Sequence, residues 1–440
     1  MSALARYFVS QSKKVAGYDR VSTKLTDELM REGINIHFED RTSFIPKDYK
    51  DPERTLVIYT PAIPESSREL DYFRKRGFRI IKRAAALGEV FNAGRGIGIA
   101  GTHGKTSVST MLAEILYRTN IGCNAFLGGI SKNFNTNVLI DPGSNIILAE
   151  ADEYDYSFLT LFPEIGLITS MDSDHLDIYK THANLIRAFE SYISQIHEKG
   201  KLILKHELYP EVPEYLSVFT YALNNSKAHY YAKNIKQGPE GCRFSIVTPG
   251  NIIPEVTLGL FGETNIENAV AAVAVADQLG VIPEIIMSSL ADFKGVKRRF
   301  DIQVQTDRTI YIDDYAHHPR EIDSIISSVK KAFPDKKITG VFQPHLFSRT
   351  KDFAVDFGKS LSMLDELILL DIYPAREEPI PGVDSKLIFD QVELCEKILI
   401  NKERLFRVLK ERSPEILLTM GAGDIDQFIG PIKDWLLNKR

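Results

Sequence analysis

Short apolar runs alternate with longer amphipathic stretches along most of the chain. Each apolar run ends in a turn, and the stretch after it carries apolar residues at helical spacing. This alternation predicts parallel β-sheets whose strands are connected by helices. At the start of the chain, the predicted strands lie at residues 14–19, 34–39, 56–63 and 78–82.

A second series of elements opens with a strand that is interrupted by glycines. Two later strands of the series are almost continuous apolar runs, as expected of strands buried on both faces. Residues 201–261 differ, because alternating polar and apolar positions there predict antiparallel strands. The predicted elements are strands at 94–100, 146–149, 165–170, 243–247 and 256–261, and helices at 106–117, 265–279 and 283–293.

The strand–helix rhythm restarts after residues 297–300 and continues to a closing helix. The predicted elements are strands at 309–313, 338–342, 367–372 and 416–420, and helices at 320–332 and 351–361. We therefore predict an α/β protein with three domains, at residues 1–88, 89–297 and 298–440. The length of 440 residues agrees with three domains, at roughly 150 residues per domain.

The net charge of -5 argues against a general attraction to nucleic acid or to an anionic membrane. The three cysteines lie far apart, so neither a disulfide framework nor a structural zinc site is indicated. The sequence has no apolar stretch typical of a signal peptide or a membrane span, and we expect a cytoplasmic protein.

The strongest local motif is IGIAGTHGKTS at residues 97–107, an apolar strand followed by a glycine-rich turn and a helix start. Backbone N–H groups of such a turn surround phosphate oxygens, and the helix N-terminus adds partial positive charge. Lys105 would reach the β- and γ-phosphates and Thr106 would bind Mg²⁺. The motif departs from GxxxxGKS/T because Ile99 replaces the first glycine. A purely structural strand–helix turn is the alternative, but the three features together favour a nucleoside triphosphate site.

Two further strands of this region are followed by acidic residues and a histidine. Glu150 begins an EADE segment, and His175 closes a DSDH segment. Because the carboxyl ends of parallel strands meet at one edge of a sheet, we expect both side chains beside the triphosphate, as ligands of Mg²⁺. A solvated loop is the alternative. No Ser/His/Asp or Cys/His nucleophile arrangement is legible, which agrees with phosphoryl transfer by positioning and electrostatics.

Several short segments, taken in order along the chain, resemble the Mur ligase family. They are GTHGKT at 101–106, AEADE at 149–153, DHLDIY at 174–179, RRF at 298–300, DDYAHHP at 313–319, FQPH at 342–345, SRT at 348–350, DIYPA at 371–375 and PIPG at 379–382. The resemblance implies a Rossmann-like N-terminal domain for a UDP-sugar, a central P-loop ATPase domain, and a C-terminal Rossmann-like domain that brings the amino acid. The family's first strand and its Gly-x-Gly-Gly-x-Gly-Met turn are not in this sequence, so we expect a truncated N-terminal domain.

The resemblance also implies an activity, in which ATP drives the joining of L-alanine to the lactyl carboxylate of UDP-N-acetylmuramate through an acyl phosphate. This reaction belongs to peptidoglycan precursor synthesis. The implied cofactors are ATP with a first and a second magnesium ion, and the implied partners are these small molecules, not nucleic acid or membrane. We expect a monomer or a weak homodimer.

Roles for individual residues follow from the same resemblance. ATP would be bound by Gly101, Thr102, His103, Gly104, Lys105, Thr106, Ser107, Asn268, Arg299 and Asp314, with Asp314 at the ribose. The metal ligands would be Thr106, Glu150 and His175. Substrate would be bound by Asp19, Tyr315, His317, His345 and Arg349, and the catalytic residues would be Lys105, His175 and Arg349.

Simpler interpretations exist for some of these residues. Asn268 could cap or pack in an alanine-rich helix, His317 could be an exposed turn residue before a proline, and Arg299 could be a solvated charge. The chain also departs from the family pattern at Leu346, where arginine is common, and at Thr264, where histidine is common.

Three other functions stay open at this point. One is a recycling ligase that attaches a whole tripeptide, and another is a folate-type polyglutamate ligase. The third is a P-loop nucleotide-binding protein without catalysis.

Overall fold

The computed structural model describes residues 1–60, 62–174, 176–238, 240–375 and 377–438. Within these residues the chain forms one ten-stranded sheet, one six-stranded sheet and two parallel pairs of strands. The pairs lie in the first part of the chain, the large sheet in the middle and the six-stranded sheet in the last part. The predicted α/β class with strands and helices in series is confirmed.

The first part of the chain contains the two parallel pairs, β1 with β2 and β3 with β4. All four predicted strands are present, and each is shorter than predicted. The helices α2 and α3 begin with side-chain caps, from Thr23 and Ser67. The elements are α1 Ser2–Ser10, β1 Ala16–Tyr18, α2 Lys24–Arg31, β2 Asn35–His37, β3 Leu56–Tyr59, α3 Arg68–Lys75, β4 Arg79–Lys82 and α4 Arg83–Asn92.

The middle part is built around β5, which lies between β9 and β8 and runs parallel to both. The antiparallel strands β12, β13 and β14 form the far edge of this sheet, as the alternating pattern predicted. The prediction of antiparallel strands over residues 201–261 is wrong for the first part of that range, because β10 and β11 run parallel to their neighbours and extend the parallel part of the sheet. The elements are β5 Arg95–Ala100, α5 Lys105–Tyr117, β6 Asn124–Phe126, β7 Val138–Leu139, β8 Ile146–Ala151, β9 Ile165–Ile168, α6 Leu176–Tyr179, α7 His182–Ser194, β10 Lys201–Lys205, β11 Ser217–Ala222, β12 Tyr230–Gly238, β13 Gly241–Val247, β14 Ile252–Leu258, α8 Glu263–Gln278 and α9 Pro283–Ala291.

The alternation of side chains along β5 explains how the strand is buried on both faces. Ile97 and Ile99 join the core formed with α5 and α8. On the opposite face, a side chain at Gly96 would collide with Phe91, and one at Gly98 would collide with the Tyr192 hydroxyl. The glycines therefore allow α4 and α7 to pack directly on β5, the strand that leads into the glycine-rich turn at residues 101–107, which we call the phosphate loop.

The last part has five parallel strands and one antiparallel edge strand, β15. The first turn of the helix after β16 contacts the turn between β5 and α5, and the helix after β17 contacts the segment after β9, through the Glu321–His103 and Arg349–Asp174 pairs. The elements are β15 Asp301–Gln305, β16 Ile310–Asp314, α10 Pro319–Ala332, β17 Ile338–Phe342, α11 Phe347–Leu361, β18 Glu366–Leu370, α12 Lys386–Phe389, β19 Lys397–Ile400, α13 Lys402–Glu411, β20 Ile416–Met420 and α14 Ile429–Asn438.

The sheets fall within residues 16–82, 95–258 and 301–420. Each range lies inside one predicted domain, and the boundaries at 88/89 and 297/298 stay predictions. In the part of the chain that the structure describes, no helix is both long enough and apolar enough to cross a membrane.

Two buried tyrosines of the middle part provide a test of this packing. Tyr192 lies under β5 with its hydroxyl buried and without a hydrogen-bond partner among the described residues, whereas the Tyr230 hydroxyl donates to Asp277 (2.7 Å) and accepts from Gln278 (2.6 Å). We expect Tyr192→Phe to raise the free energy of unfolding by about 1 kcal/mol, because an unpaired hydroxyl is no longer buried. The matched change Tyr230→Phe should lower it by about 1–2 kcal/mol.

Urea unfolding followed by far-ultraviolet circular dichroism measures both changes. A loss of stability in Tyr192→Phe as large as that in Tyr230→Phe would contradict this description of the core.

Candidate active site

Two glycines give the turn between β5 and α5 its shape. Gly101 has φ 131° and Gly104 has φ 84°, both in the region that side chains disfavour. A Cβ atom at Gly101 would collide with Thr169, and one at Gly104 would lie 2.9 Å from Asn268 Oδ1. No side chain caps the first turn of α5 in the described structure, so its N–H groups face the turn without a side-chain acceptor. This geometry suits a bound phosphate.

The end of β9 supports the same turn. The His103 N–H donates to Ser170 Oγ at 2.8 Å, and the Thr102 N–H donates to the Ser170 carbonyl at 3.2 Å. The Thr169 hydroxyl donates to the carbonyls of Ala100 and His103. The turn is thus held by two residues that sequence reasoning did not single out, Thr169 and Ser170.

Lys105, the first residue of α5, is ordered by oxygens. Its Nζ donates to the Gly101 carbonyl at 2.6 Å and to Glu153 Oε2 at 2.6 Å. Burial opposes the charge of Lys105, but Glu153, Asp152 and Glu150 outweigh it and raise the pKa of the amine. Lys105 is therefore charged, and Glu153 occupies the place of an anion beside it. Sequence reasoning assigned no role to Glu153.

Thr106 and Glu150, two of the three predicted metal ligands, lie together. The Thr106 hydroxyl donates to Glu150 Oε2 at 3.0 Å, and Ser109 donates to Oε1 at 3.0 Å. Glu150 belongs to β8, beside Ile99 of β5, so the strand continues past the predicted end at residue 149.

The chemistry of this pair fits a hard cation. Burial raises the pKa of Glu150, although the Gly128 amide, Lys105 and Thr106 act in the opposite direction. A carboxylate and a hydroxyl are ligands that Mg²⁺ prefers. The third predicted ligand, His175, lies outside the described residues. No group of three or more His, Cys, Asp or Glu suited to a metal is found among the residues that are described.

Other predicted nucleotide residues lie close to the turn or opposite to it. Asn268, in α8, is buried with its Oδ1 beside Gly104, so it packs against the phosphate loop, whatever its further role. Ser107 follows Thr106 in the first turn of α5.

Arg299 lies 4.8 Å from the ring centre of Tyr315, and its Nη1 is 3.9 Å from Glu321 Oε1. The Arg299 side chain is 33% exposed, so it is partly solvated as well as packed on Tyr315.

Asp314 ends β16 and is held by backbone donors. Its carboxylate accepts from the Phe300 N–H at 2.6 Å and the Ala316 N–H at 2.7 Å. Burial raises the pKa of Asp314 to about 7, although Arg299 and these N–H groups favour the charged form. The carboxyl group therefore titrates near neutral pH.

The predicted substrate residues of the last part form a row of rings. The ring centres of Tyr315 and His317 are 5.3 Å apart, those of His317 and His345 are 6.0 Å apart, and His345 stacks on Tyr373 at 5.8 Å. Burial lowers the pKa of His317 to about 4, so its ring is neutral. His317 Nδ1 lies 2.9 Å from the Tyr315 carbonyl, which makes Nδ1 the protonated nitrogen.

Arg349 joins this row from α11. Its Nη2 donates to Asp174 Oδ1 at 3.0 Å, and only 9% and 6% of these two side chains are exposed. Arg349 thus pairs with a carboxylate of the chain itself, which the sequence did not indicate, and its predicted contact with a substrate carboxylate stays a prediction. Leu346, at the family's arginine position, has φ 72° at the start of α11, an unusual conformation for leucine.

Asp19 lies apart from these groups. It is exposed at the end of β1, where its N–H donates to the His37 carbonyl and its Oδ1 accepts from the Val21 N–H. The structure therefore brings together the predicted ATP, metal and amino-acid residues that it describes. It leaves the predicted uridine-side acid on the first part of the chain.

Three family models match the chain in order. They are "Mur ligase family, catalytic domain" at residues 1–95, "Mur ligase middle domain" at 99–276 and "Mur ligase, glutamate ligase domain" at 298–423. Together with relatives that align over the whole chain, these matches show that the chain belongs to the Mur ligase family.

The relatives include UDP-N-acetylmuramate–L-alanine ligases from Phocaeicola vulgatus, 48% identical over 100% of this chain and 96% of the relative, and from Parabacteroides distasonis, 48% identical over 99% and 95%. Among solved structures, UDP-N-acetylmuramate-alanine ligase MurC from Thermotoga maritima has a TM-score of 0.81 at 25% identity, covering 100% of this chain and 97% of that one. The murein peptide ligase of Psychrobacter arcticus has a TM-score of 0.67 at 19% identity, covering 100% and 96%, which shows a shared fold.

The pKa of Asp314 makes a prediction about pH. An acid whose pKa is higher in the folded chain than in the unfolded chain binds more protons when folded, so its contribution to stability falls as pH rises through about 7. We expect wild-type protein to lose about 1 kcal/mol more stability than Asp314→Asn between roughly pH 6 and pH 8. Urea unfolding of both proteins across this range provides the measurement, and parallel curves would show that Asp314 does not titrate there.

Proposed function

We propose that this chain joins the amine of L-alanine to the lactyl carboxylate of UDP-N-acetylmuramate, at the expense of ATP, in peptidoglycan precursor synthesis. The observation that carries the proposal is the meeting of Lys105, Thr106 and Glu150 at one sheet edge, with Asp314 and the aromatic row opposite. Family membership and full-length relatives with this named activity support it. The chain is an ATP-dependent ligase, and its substrates are small molecules.

In the first step, an oxygen of the lactyl carboxylate attacks the γ-phosphorus of ATP. The bond from that phosphorus to the β–γ bridging oxygen breaks, so that ADP leaves and an acyl phosphate remains. Lys105 would exchange Glu153 for the β- and γ-phosphate oxygens, and the N–H groups at the start of α5 would bind further oxygens. Charge neutralisation and alignment account for catalysis of this kind.

Thr106 and Glu150 would hold a first magnesium ion and His175 a second, which would neutralise charge on the triphosphate. Asp314 would accept hydrogen bonds from the ATP ribose hydroxyls. Arg299 and Asn268 would contact the phosphate and adenine sides of the nucleotide.

In the second step, the alanine amine attacks the acyl carbon and phosphate leaves, which forms the amide bond. Arg349 would bind the alanine carboxylate, since a guanidinium grips a carboxylate through parallel hydrogen bonds. The attacking amine must lose a proton, and neutral His317 has an unprotonated Nε2 in the tautomer that its contacts favour. His345 and Tyr315 would shape the pocket for the methyl group and the reacting carboxyl.

The acyl phosphate must be kept from water, and contacts between the middle and last parts of the chain provide the enclosure. The Arg349–Asp174 ion pair and a hydrogen bond between Thr264 and Ser324 cross this boundary. Exclusion of water protects reactive intermediates and strengthens electrostatic interactions inside the site.

We place the reaction in the cytoplasm and infer a monomer or a weak homodimer. Asp19 would bind the uridine side of the UDP-sugar.

Product analysis tests the proposed reaction. With ATP, Mg²⁺, UDP-N-acetylmuramate and L-alanine, we expect ADP, phosphate and a product heavier than UDP-N-acetylmuramate by one alanyl residue. Replacing L-alanine by the stem tripeptide should give no amide. Mass spectrometry distinguishes the acceptors, and release of ADP without an amide, or preference for the tripeptide, would reject the proposal.

The proposed metal site predicts a specific change in magnesium dependence. Glu150→Gln keeps the shape of the side chain and loses its charge, so the Mg²⁺ concentration for half-maximal rate should rise about 10-fold or more. Glu164→Gln is the control, because Glu164 lies at the opposite end of this sheet and pairs with Arg95. Magnesium titration of the ligation rate measures both. Equal midpoints for wild type and Glu150→Gln would exclude Glu150 as a ligand.

A further inference from the structure

Glu321, in the first turn of α10, connects two loops that belong to different sheets. Its Oε1 lies 3.1 Å from His103 Nδ1, in the phosphate loop, while its Oε2 accepts from the N–H groups of His317 at 3.0 Å and His318 at 3.3 Å. The Glu321 side chain is 16% exposed. One carboxylate therefore links the turn that would hold the phosphates to the loop that carries Tyr315 and His317.

Helix capping explains only half of these contacts. In the capping box of α10, Glu321 accepts from the His318 N–H, and His318 Nδ1 accepts from the Arg320 N–H. This pattern uses Oε2. The other oxygen, Oε1, faces His103 and Arg299 and is not needed to begin the helix.

The charge of Glu321 fits a connecting role. Burial opposes ionisation of Glu321, but its hydrogen bond with His103 and the charge of Arg299 favour the carboxylate, and the pKa of Glu321 lies well below its usual value. Oε1, the oxygen that faces His103 and Arg299, therefore belongs to a charged carboxylate.

We infer that Glu321 is a positioning residue. It fixes the distance and orientation between the phosphate loop and the loop that carries Tyr315 and His317, across the domain boundary. The inference rests on the proposed ligation. The acyl phosphate forms at one loop and the amine arrives from the other, so a small misplacement between them slows the reaction even when each ligand binds. Glu321 touches neither the reacting atoms nor the metal in this assignment and acts through His103 and His317.

Glu321→Gln separates this role from capping. Glutamine retains an oxygen that can accept from the His318 N–H, so α10 and the melting temperature should be preserved, while the charge facing His103 and Arg299 is lost. We expect kcat for amide formation to fall about 10- to 100-fold, as for the loss of a charged hydrogen bond. The Kd for β,γ-imido-ATP, measured by calorimetry, should change by less than about 3-fold, because the phosphate loop itself is intact.

A double-mutant cycle with His103→Gln gives the sharper criterion. If Glu321 acts through His103, the double variant should be no slower than the slower single variant, since each change breaks the same link. The matched control is Arg320→Ala, which removes the neighbouring ion pair to Asp172 across the same boundary, where Arg320 is 65% exposed. Its kcat should stay within about 2-fold of wild type.

The outcomes are distinct. Failure of wild-type protein to form the amide rejects the proposed function. Wild-type activity with an unchanged kcat in Glu321→Gln, or losses that multiply in the double variant, overturns the positioning role. If Glu321→Gln does not fold, His103→Gln decides alone: a folded variant with wild-type kcat overturns the inference, and a reduced kcat with unchanged nucleotide Kd supports it.

Discussion

The ion pair between Lys105 and Glu153 is the interaction on which the site depends. It ties the first residue of α5 to the segment after β8, and the same lysine donates to the Gly101 carbonyl at the other end of the turn. A buried ion pair contributes little net stability, because both charges lose water. Its presence at a turn that requires glycine at positions 101 and 104 is explained by function: the cation is already in place, and phosphate oxygens can replace the carboxylate.

Helices packed on β5 support this pair, and residues from the six-stranded sheet complete the site. Gly96 and Gly98 let α4 and α7 pack closely on β5, so the strand that ends in the phosphate loop has little freedom. The loops after β16 and β17 then bring a second set of groups from another sheet. The site therefore lies between two sheets, an arrangement that can enclose the unstable intermediate of the proposed two-step reaction.

Features that depend on neighbouring residues in the chain could be predicted from the sequence alone. Glycines next to an apolar run indicated the turn after β5, and long apolar runs indicated β8 and β9, so Glu150 was placed correctly beside Thr106. Short elements such as β10, whose five residues begin and end with lysine, are too brief for periodicity to reveal.

Residues whose partners are distant in the chain could not be found in this way. Glu153 meets a lysine 48 positions away, Asp174 meets Arg349 at a separation of 175, and Glu321 meets His103 at a separation of 218. Each is an ordinary acid within its own segment, next to a strand or in the first turn of a helix. Glu153 meets Lys105 because β8 pairs with β5 in one sheet, whereas Asp174 and Glu321 meet their partners only where residues that follow strands of the two large sheets come together.

The most direct measurement of the central claim is a crystal structure with β,γ-imido-ATP and Mg²⁺. The claim predicts that Lys105 Nζ leaves Glu153 and contacts the terminal phosphates, with a metal ion bound to Thr106 and Glu150 at roughly 2.1 Å. A triphosphate bound elsewhere, or a Lys105–Glu153 pair that persists while the nucleotide is bound, would contradict it.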